Sequence, residues 1–228
     1  WERPMYMAIT VGQENHLNLG NNFMQEGLAY RITPFNTTAL GARIDTEKMY
    51  DNLMHKFKFG GVDKGDIYLD ETVLRMSQTH RRMFVQLATE LIKEGKNDKA
   101  LKALDYCQQV LPNTTVPHDY IMSSSKEMAD NYLALGEKAK AEAILEELAD
   151  KSVEYITWYM SLDDEKLASV YENCVRNFYM LDEINQTLIK AAETAGEDDE
   201  MAASEMAVHY AKKFEELYGL FNDRVGKK

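Results

Sequence analysis

Short apolar runs open the chain and helical spacing follows them. "MYMAITV", Met5 to Val11, turns β-branched towards its end and is followed by Gly12, which predicts a strand. "LAYRITPF", Leu28 to Phe35, closed by Pro34 and the "NTT" after it, predicts a second strand, and the two are expected to pair. Between them "NLGNNFMQEG" reads as a loop with a short helical turn that Gly27 stops. In "RIDTEKMYDNLMHKFKF" the first acid, Asp45, is placed to cap a helix. Met49, Leu53 and Phe57 follow at i, i+4 and i+8 on one face of it. "GGVDKG" breaks that helix. From Asp70 onward helix follows helix, with a single proline-containing break, "PNTTVPHD".

The helical stretch states the same phrase twice. "LIKEGKNDKALKAL", Leu91 to Leu104, returns as "YLALGEKAKAEAIL", Tyr132 to Leu145. The pairs Ala88/Ala129, Gly95/Gly136, Ala100/Ala141 and Leu104/Leu145 are all 41 residues apart. Antiparallel helices cross closely only where neither carries bulk, and a glycine permits the tight turn between them. The spacing therefore predicts helix pairs that turn at Gly95 and Gly136. This resembles the tetratricopeptide repeat, with Phe84 and Pro112 completing its series in a first copy over 81–112. A second copy over 122–153 departs from the series at Ser125 and Val153, and the "PNTTVPHD" connection absorbs its longer period. Ser124 with Glu127 reads as a capping box that restarts helix there. Ile189, Ala192, Gly196, Ala202 and Met206 suit a degenerate third copy over 182–222. Its last helix carries Met206, Tyr210, Phe214, Leu217 and Phe221 on one stripe. "SLDDEKLASVYENCVRNFYMLDEINQTLIKAAE" reads as one long or bent helix, capped by Ser161 or Asp163. The expected class is mainly α: an α-solenoid of tetratricopeptide-like antiparallel helix pairs over 70–228, behind a small α+β segment over 1–69.

Composition narrows the uses of such a fold. The net charge is −12; residues 1–69 hold 7 basic and 8 acidic side chains, so the remainder carries −11 of it. That field repels polyanions and excludes general nucleic-acid binding, and the cluster Arg75, His80, Arg81, Arg82 reads as a solvated helix face. Cys107 and Cys174 lack any CxxC context and read as buried free thiols, with a single disulfide as the alternative in an oxidising compartment. The acids Asp163, Asp164, Glu165 and Asp198, Asp199, Glu200 stand where helices begin and read as caps rather than as acid/base pairs. His16, His55, His80, His118 and His209 show no metal-ligand spacing, and no nucleophile elbow or phosphate loop occurs. No metal, cofactor or catalytic residue is expected, and an unrecognised carboxylate site is the only enzymatic alternative. N-x-T sequons at Asn36, Asn113 and Asn185 bear only on a secreted eukaryotic protein. No run is long and apolar enough to span a bilayer, so the chain reads as soluble, and its "WERP" start reads as an excerpt from something longer.

The tetratricopeptide likeness implies a concave groove lined from the first helix of each pair. Its residues would be Arg82, Val85, Thr89 and Lys93, then Ser123, Lys126, Asp130 and Leu133, facing a protein or peptide. The alternative is that this surface packs against the N-terminal strands or is merely solvated. "WERPMYMAITVG", "EGLAYRITP" and "RIDTEKMYDNLMHKFKFGG", with the repeats behind them, resemble the soluble C-terminal region of a polytopic membrane-protein family of Bacteroidetes. That family is similar to GT-C glycosyltransferases. The resemblance implies a non-catalytic module on the periplasmic face of the inner membrane, just after a final span. It would bind a protein acceptor, a partner subunit, a glycan or the parent's own membrane domain. The rival reading is a free-standing scaffold.

Overall fold

The structure is a computed structural model. It describes residues 3–41, 43–65, 67–193 and 197–225, apart from the side chains of 197–204. It is mainly helical, with a small antiparallel sheet near the N-terminus. Contacts divide the chain into two compact units, Trp1–Pro117 with Met122–Ser124 and His118–Ile121 with Ser125–Lys228. The division does not follow the composition change near residue 70, because the first helical hairpin belongs to the same unit as the strands.

In the first unit the expected strands are shorter than their apolar runs, and a third lies between them. β1 (Tyr6–Ala8), β2 (Phe23–Gln25) and β3 (Ala29–Ile32) form a sheet ordered β1-β3-β2, with both neighbours antiparallel. "FMQ" reads as loop in the sequence because three residues between paired asparagines and a glycine carry too little alternation to register as a strand. The helical turn expected in this stretch is present just before it, as a 3-10 turn at Gly20–Asn22. Gly27 makes the β2–β3 turn at φ +128°, where a Cβ would also meet the Phe57 ring at 3.1 Å. Tyr6 lies opposite Arg31 and Met24 opposite Arg31, which places those three on one face; Phe23, Gln25 and Tyr30 share the other.

Just beyond β2, Glu26 is buried and accepts from Arg31 Nε, Lys48 Nζ at 3.1 Å and Tyr6 Oη at 3.0 Å. Burial works against the ionised carboxylate, but the bonds from Lys48, Arg31 and Tyr6 outweigh it and lower the Glu26 pKa. Lys48 belongs to α1 (Thr46–Asp51), capped as expected by Asp45. Met49 and Leu53 are fully buried. The helix does not reach Phe57 in regular form: a π turn occupies Asn52–Lys56, and Phe57 is extended.

α2 (Glu71–Lys93), capped by Asp70, and α3 (Asn97–Val110) form the first hairpin. Gly95 sits at φ +74° with Lys96 N bonded to Leu91 O at 2.8 Å, a left-handed stop that satisfies the carbonyls at the helix end. Ala88, Ala100 and Leu104 meet at the crossing with no exposure. α1 is held to this turn by Glu47, which bonds Lys96 and Lys99 and whose pKa those lysines lower to about 2.

Arg81 departs from the reading of a solvated basic face. It is fully buried, and its guanidinium donates to Leu111 O at 2.7 Å, Val116 O at 2.6 Å and Pro117 O at 3.1 Å. The segment after α3 has no regular partner for these carbonyls, and a planar five-donor group supplies one.

The second unit holds two successive hairpins. α4 (Ser125–Ala134) and α5 (Lys138–Ser161) turn at Gly136, φ +80°, with Glu137 N bonded to Tyr132 O at 2.9 Å. Tyr132, Ala141 and Leu145 are fully buried there. α4 does not begin with a capping box: Ser124 has φ +53°, outside the extended region a capping residue uses, and Ser125 Oγ instead meets the His118 ring at 2.9 Å. The long helix expected after Ser161 is bent, as α6 (Asp164–Ser169) and α7 (Tyr171–Glu193) with a break at Val170. Asp163 is its cap. α8 (Glu197–Val225) packs along α7 and α5, burying Tyr210, Leu217 and Phe221 of the expected stripe. Gly196 and the side chain of Ala202 lie outside the described residues.

Enlarging either crossing alanine tests the hairpins. Ala100→Leu or Ala141→Leu should cost about 1–3 kcal/mol by overpacking, read as a lower denaturant midpoint. Glu26→Gln tests the buried ion cluster. A carboxylate whose pKa is depressed on folding stabilises at pH above its unfolded value and loses that contribution as pH falls through the folded value. The variant should therefore be less stable than wild type at neutral pH, with the difference shrinking below the ordinary glutamate range. A difference independent of pH would count against the cluster.

Candidate functional site

The sheet face bearing Phe23, Gln25 and Tyr30 is largely buried yet borders open space. It forms the floor of a cleft of about 1030 Å³ within the first unit. One wall is α2, through Gln86, Thr89, Glu90 and Lys93; a second is the loop carrying Gln13, His16, Asn18 and Asn21; Arg43 and Ile44 close a third side.

Each wall is fixed by local chemistry. Gln25 N bonds Arg43 O at 2.8 Å and Asp45 N bonds Gln25 O at 3.0 Å, so the chain before α1 lies along the outer edge of β2. The Gln25 side chain reaches the other wall, its Nε2 3.2 Å from Gln86 Oε1 and 3.0 Å from Met83 Sδ. Leu17 and Asn18 take left-handed φ values of 52° and 61°, which turn the loop back over the floor. His16 Nε2 stands 2.9 Å from Val11 O; a carbonyl only accepts, so that nitrogen carries the proton. The His16 ring meets Phe23 edge-on at 5.0 Å, and Phe23 stacks on Tyr30 at 5.2 Å and 8°.

The charges at the cleft nearly cancel. Lys93 Nζ pairs with Glu90 at 2.6 Å, while Arg43 donates to Thr38 Oγ1 and has no carboxylate partner among the described residues. Gln25 is 7% exposed, and its Oε1 accepts no hydrogen bond among the described residues.

The eight residues expected to line a groove are distributed over both units. Thr89 and Lys93 lie in the cleft wall. Arg82 is half-buried on α2, and Val85 and Ser123 are buried. Lys126, Asp130 and Leu133 are on α4 in the second unit, where Lys126 pairs with Asp130 at 2.9 Å. The floor residues and Gln86 are absent from the expected set. A strand at "FMQ" would put Phe23, Gln25 and Tyr30 on one face, and reading that stretch as loop hides them.

Elsewhere the candidate chemistry is structural. Asp163 accepts from Lys166 N at 2.9 Å as a helix cap, and Asp164 pairs with Arg224 at 2.9 Å. The side chains of Asp198, Asp199 and Glu200 lie outside the described residues. No group of His, Cys, Asp and Glu among the described residues could hold a metal. Asn185 of the third sequon is buried in α7, out of reach of a modifying enzyme. Burial pushes the Cys107 thiol up to about 12 against the opposing effect of Arg81, and Cys174 up to about 11. Both are free.

Residues 1–49 match the family described as TMEM260-associated domain 2, so this segment resembles a domain associated with a membrane protein. The match contains the floor and two of the cleft's sides; the α2 wall lies beyond it. No curated protein and no solved structure matches the chain. No described helix is long and apolar enough to cross a membrane.

Thiol chemistry offers a direct check on the burial. Ellman's reagent should find both cysteines unreactive in the native chain and both titratable in denaturant; rapid native reaction of either would contradict its placement.

Proposed function

We propose that this chain is a non-catalytic interaction module of a membrane-embedded, glycosyltransferase-like parent, and that its cleft in the first unit holds the ligand. The observation that carries this reading is a coincidence of place: the segment resembling a membrane-protein-associated domain, residues 1–49, contributes the floor and two sides of the cleft. The groups around the cleft favour binding over reaction. Carboxamides, an aromatic stack and a neutralised Lys93–Glu90 pair recognise a polar ligand, and no activated nucleophile stands among the described residues that line it.

The helical hairpins fit this role as a rigid support of tetratricopeptide kind, with the extracytoplasmic side as the working location. Bound partners would be a protein acceptor, a partner subunit or a glycan. On this reading Thr89 and Lys93 belong to the ligand surface, and the other expected groove residues serve packing or solvation.

Two measurements test the proposal. The gene upstream of Trp1 should encode a run of membrane spans; a complete open reading frame without one would overturn the membrane-parent assignment. The purified chain should turn over no sugar donor, ester or phosphate. Saturable turnover that vanishes on substituting Asp163, Asp164 or Glu165 would replace the binding module with an enzyme.

A further inference from the structure

We propose that the cleft of the first unit is a carbohydrate site that takes an oligosaccharide across the sheet face of Phe23, Gln25 and Tyr30. This rests on the reading of the cleft as the module's ligand site and specifies the ligand's chemical class.

A sugar presents hydroxyl groups that donate and accept at once, and a C–H face that lies against an aromatic ring. The cleft matches both properties. Gln13, Asn18, Asn21, Gln25 and Gln86 contribute five carboxamides from three separate segments, each with donors and an acceptor on one planar head. Tyr30, backed by the buried Phe23 ring with His16 against its edge, supplies the apolar surface. Gln25 adds an acceptor that the fold leaves available. Its amide nitrogen is engaged by Gln86, and its Oε1 accepts nothing among the described residues. That oxygen is not among the buried atoms left without a partner, so it meets the open cleft, where a sugar hydroxyl can donate to it. With Nε2 committed to Val11, His16 Nδ1 likewise has no partner among the described residues.

Other ligand classes fit less well. A nucleotide or other phosphate ligand needs converging cations, but Lys93 is paired with Glu90, which leaves Arg43 among the described residues that line the cleft. An extended peptide binds by adding a strand to an open sheet edge, and at Gln25 that edge is taken by the bonds to Arg43 and Asp45. The apolar contribution of Phe23, Tyr30 and Ile44 is small for side-chain anchors. At about 1030 Å³ the space lies at the upper end of small-molecule sites, which favours several sugar rings over one.

Calorimetry on the 228-residue chain with mannotetraose, maltotetraose, cellotetraose and chitotetraose, preceded by a glycan array, tests this directly. At least one oligosaccharide should bind. Gln86→Leu removes carboxamide contacts from the half-exposed face of α2 and should weaken that binding about tenfold, the value of one hydrogen bond. Tyr30→Ala should weaken it further, with circular dichroism separating lost binding from lost folding. Trp158→Ala, at an exposed aromatic on α5 outside the cleft, should leave affinity unchanged. Absence of any sugar binding, or binding indifferent to Gln86→Leu and abolished by Trp158→Ala, overturns the carbohydrate proposal. A displayed dodecapeptide library separates the two levels of the claim. Peptides that bind and are lost with Gln86→Leu would overturn the sugar class while sustaining the cleft as a ligand site, and failure of both libraries would overturn both.

Discussion

Gln25 ties three segments of the first unit to one another. Its backbone bonds the segment that leads into α1, its side chain bonds α2, and its neighbours Phe23 and Tyr30 share its face of the sheet. A hydrophobic residue here would join sheet to helix by burial alone and close the space between them. A carboxamide links them through directional bonds instead, its Nε2 3.2 Å from Gln86 Oε1 at the cleft. On the opposite face Glu26 does related work with charge, drawing Arg31, Lys48 and Tyr6 onto one buried carboxylate. Strands of three and four residues have few ladder bonds, so side-chain bonds carry much of the sheet's definition.

Arg81 shows the same economy near the middle of α2, five residues before Gln86. A buried guanidinium is costly to desolvate, and the cost is tolerable only when its donors are satisfied. Leu111, Val116 and Pro117 provide carbonyls that the irregular segment could not otherwise pair. One side chain thereby satisfies a loop that has no ladder of its own, and α3 is anchored against α2 beyond what the Ala88–Ala100 crossing achieves. The polar groups of this unit are thus its organising elements, with apolar packing concentrated along the hairpin.

The helical hairpins are legible in the sequence because their signal is local and repeated. Ala88, Gly95 and Ala100, and their counterparts 41 residues on, state a crossing and a left-handed turn that few other backbones accommodate. The cleft is not legible in the same way. Repeat spacing assigns Thr89 and Lys93 to a groove between helix pairs and leaves packing against the N-terminal strands as the alternative; in the structure they border the N-terminal segment's loops and strands. Arg81 reads as one more surface cation because it stands among Arg75, His80 and Arg82, and nothing local distinguishes a guanidinium that meets carbonyls 30 residues away.

The sequence by itself determined the helix pairs, their turning points, the Asp45 cap and the strands at Tyr6 and Tyr30. Each depends on residues within a few positions of one another, where steric and hydrogen-bonding preferences act without help. Only the tertiary structure decided that "FMQ" is a strand, that Arg81 is buried and that Gln25 and Gln86 share a cleft. Those outcomes depend on partners tens of residues distant, and whether a polar side chain is solvated or buried is settled by the donors and acceptors that folding brings to it.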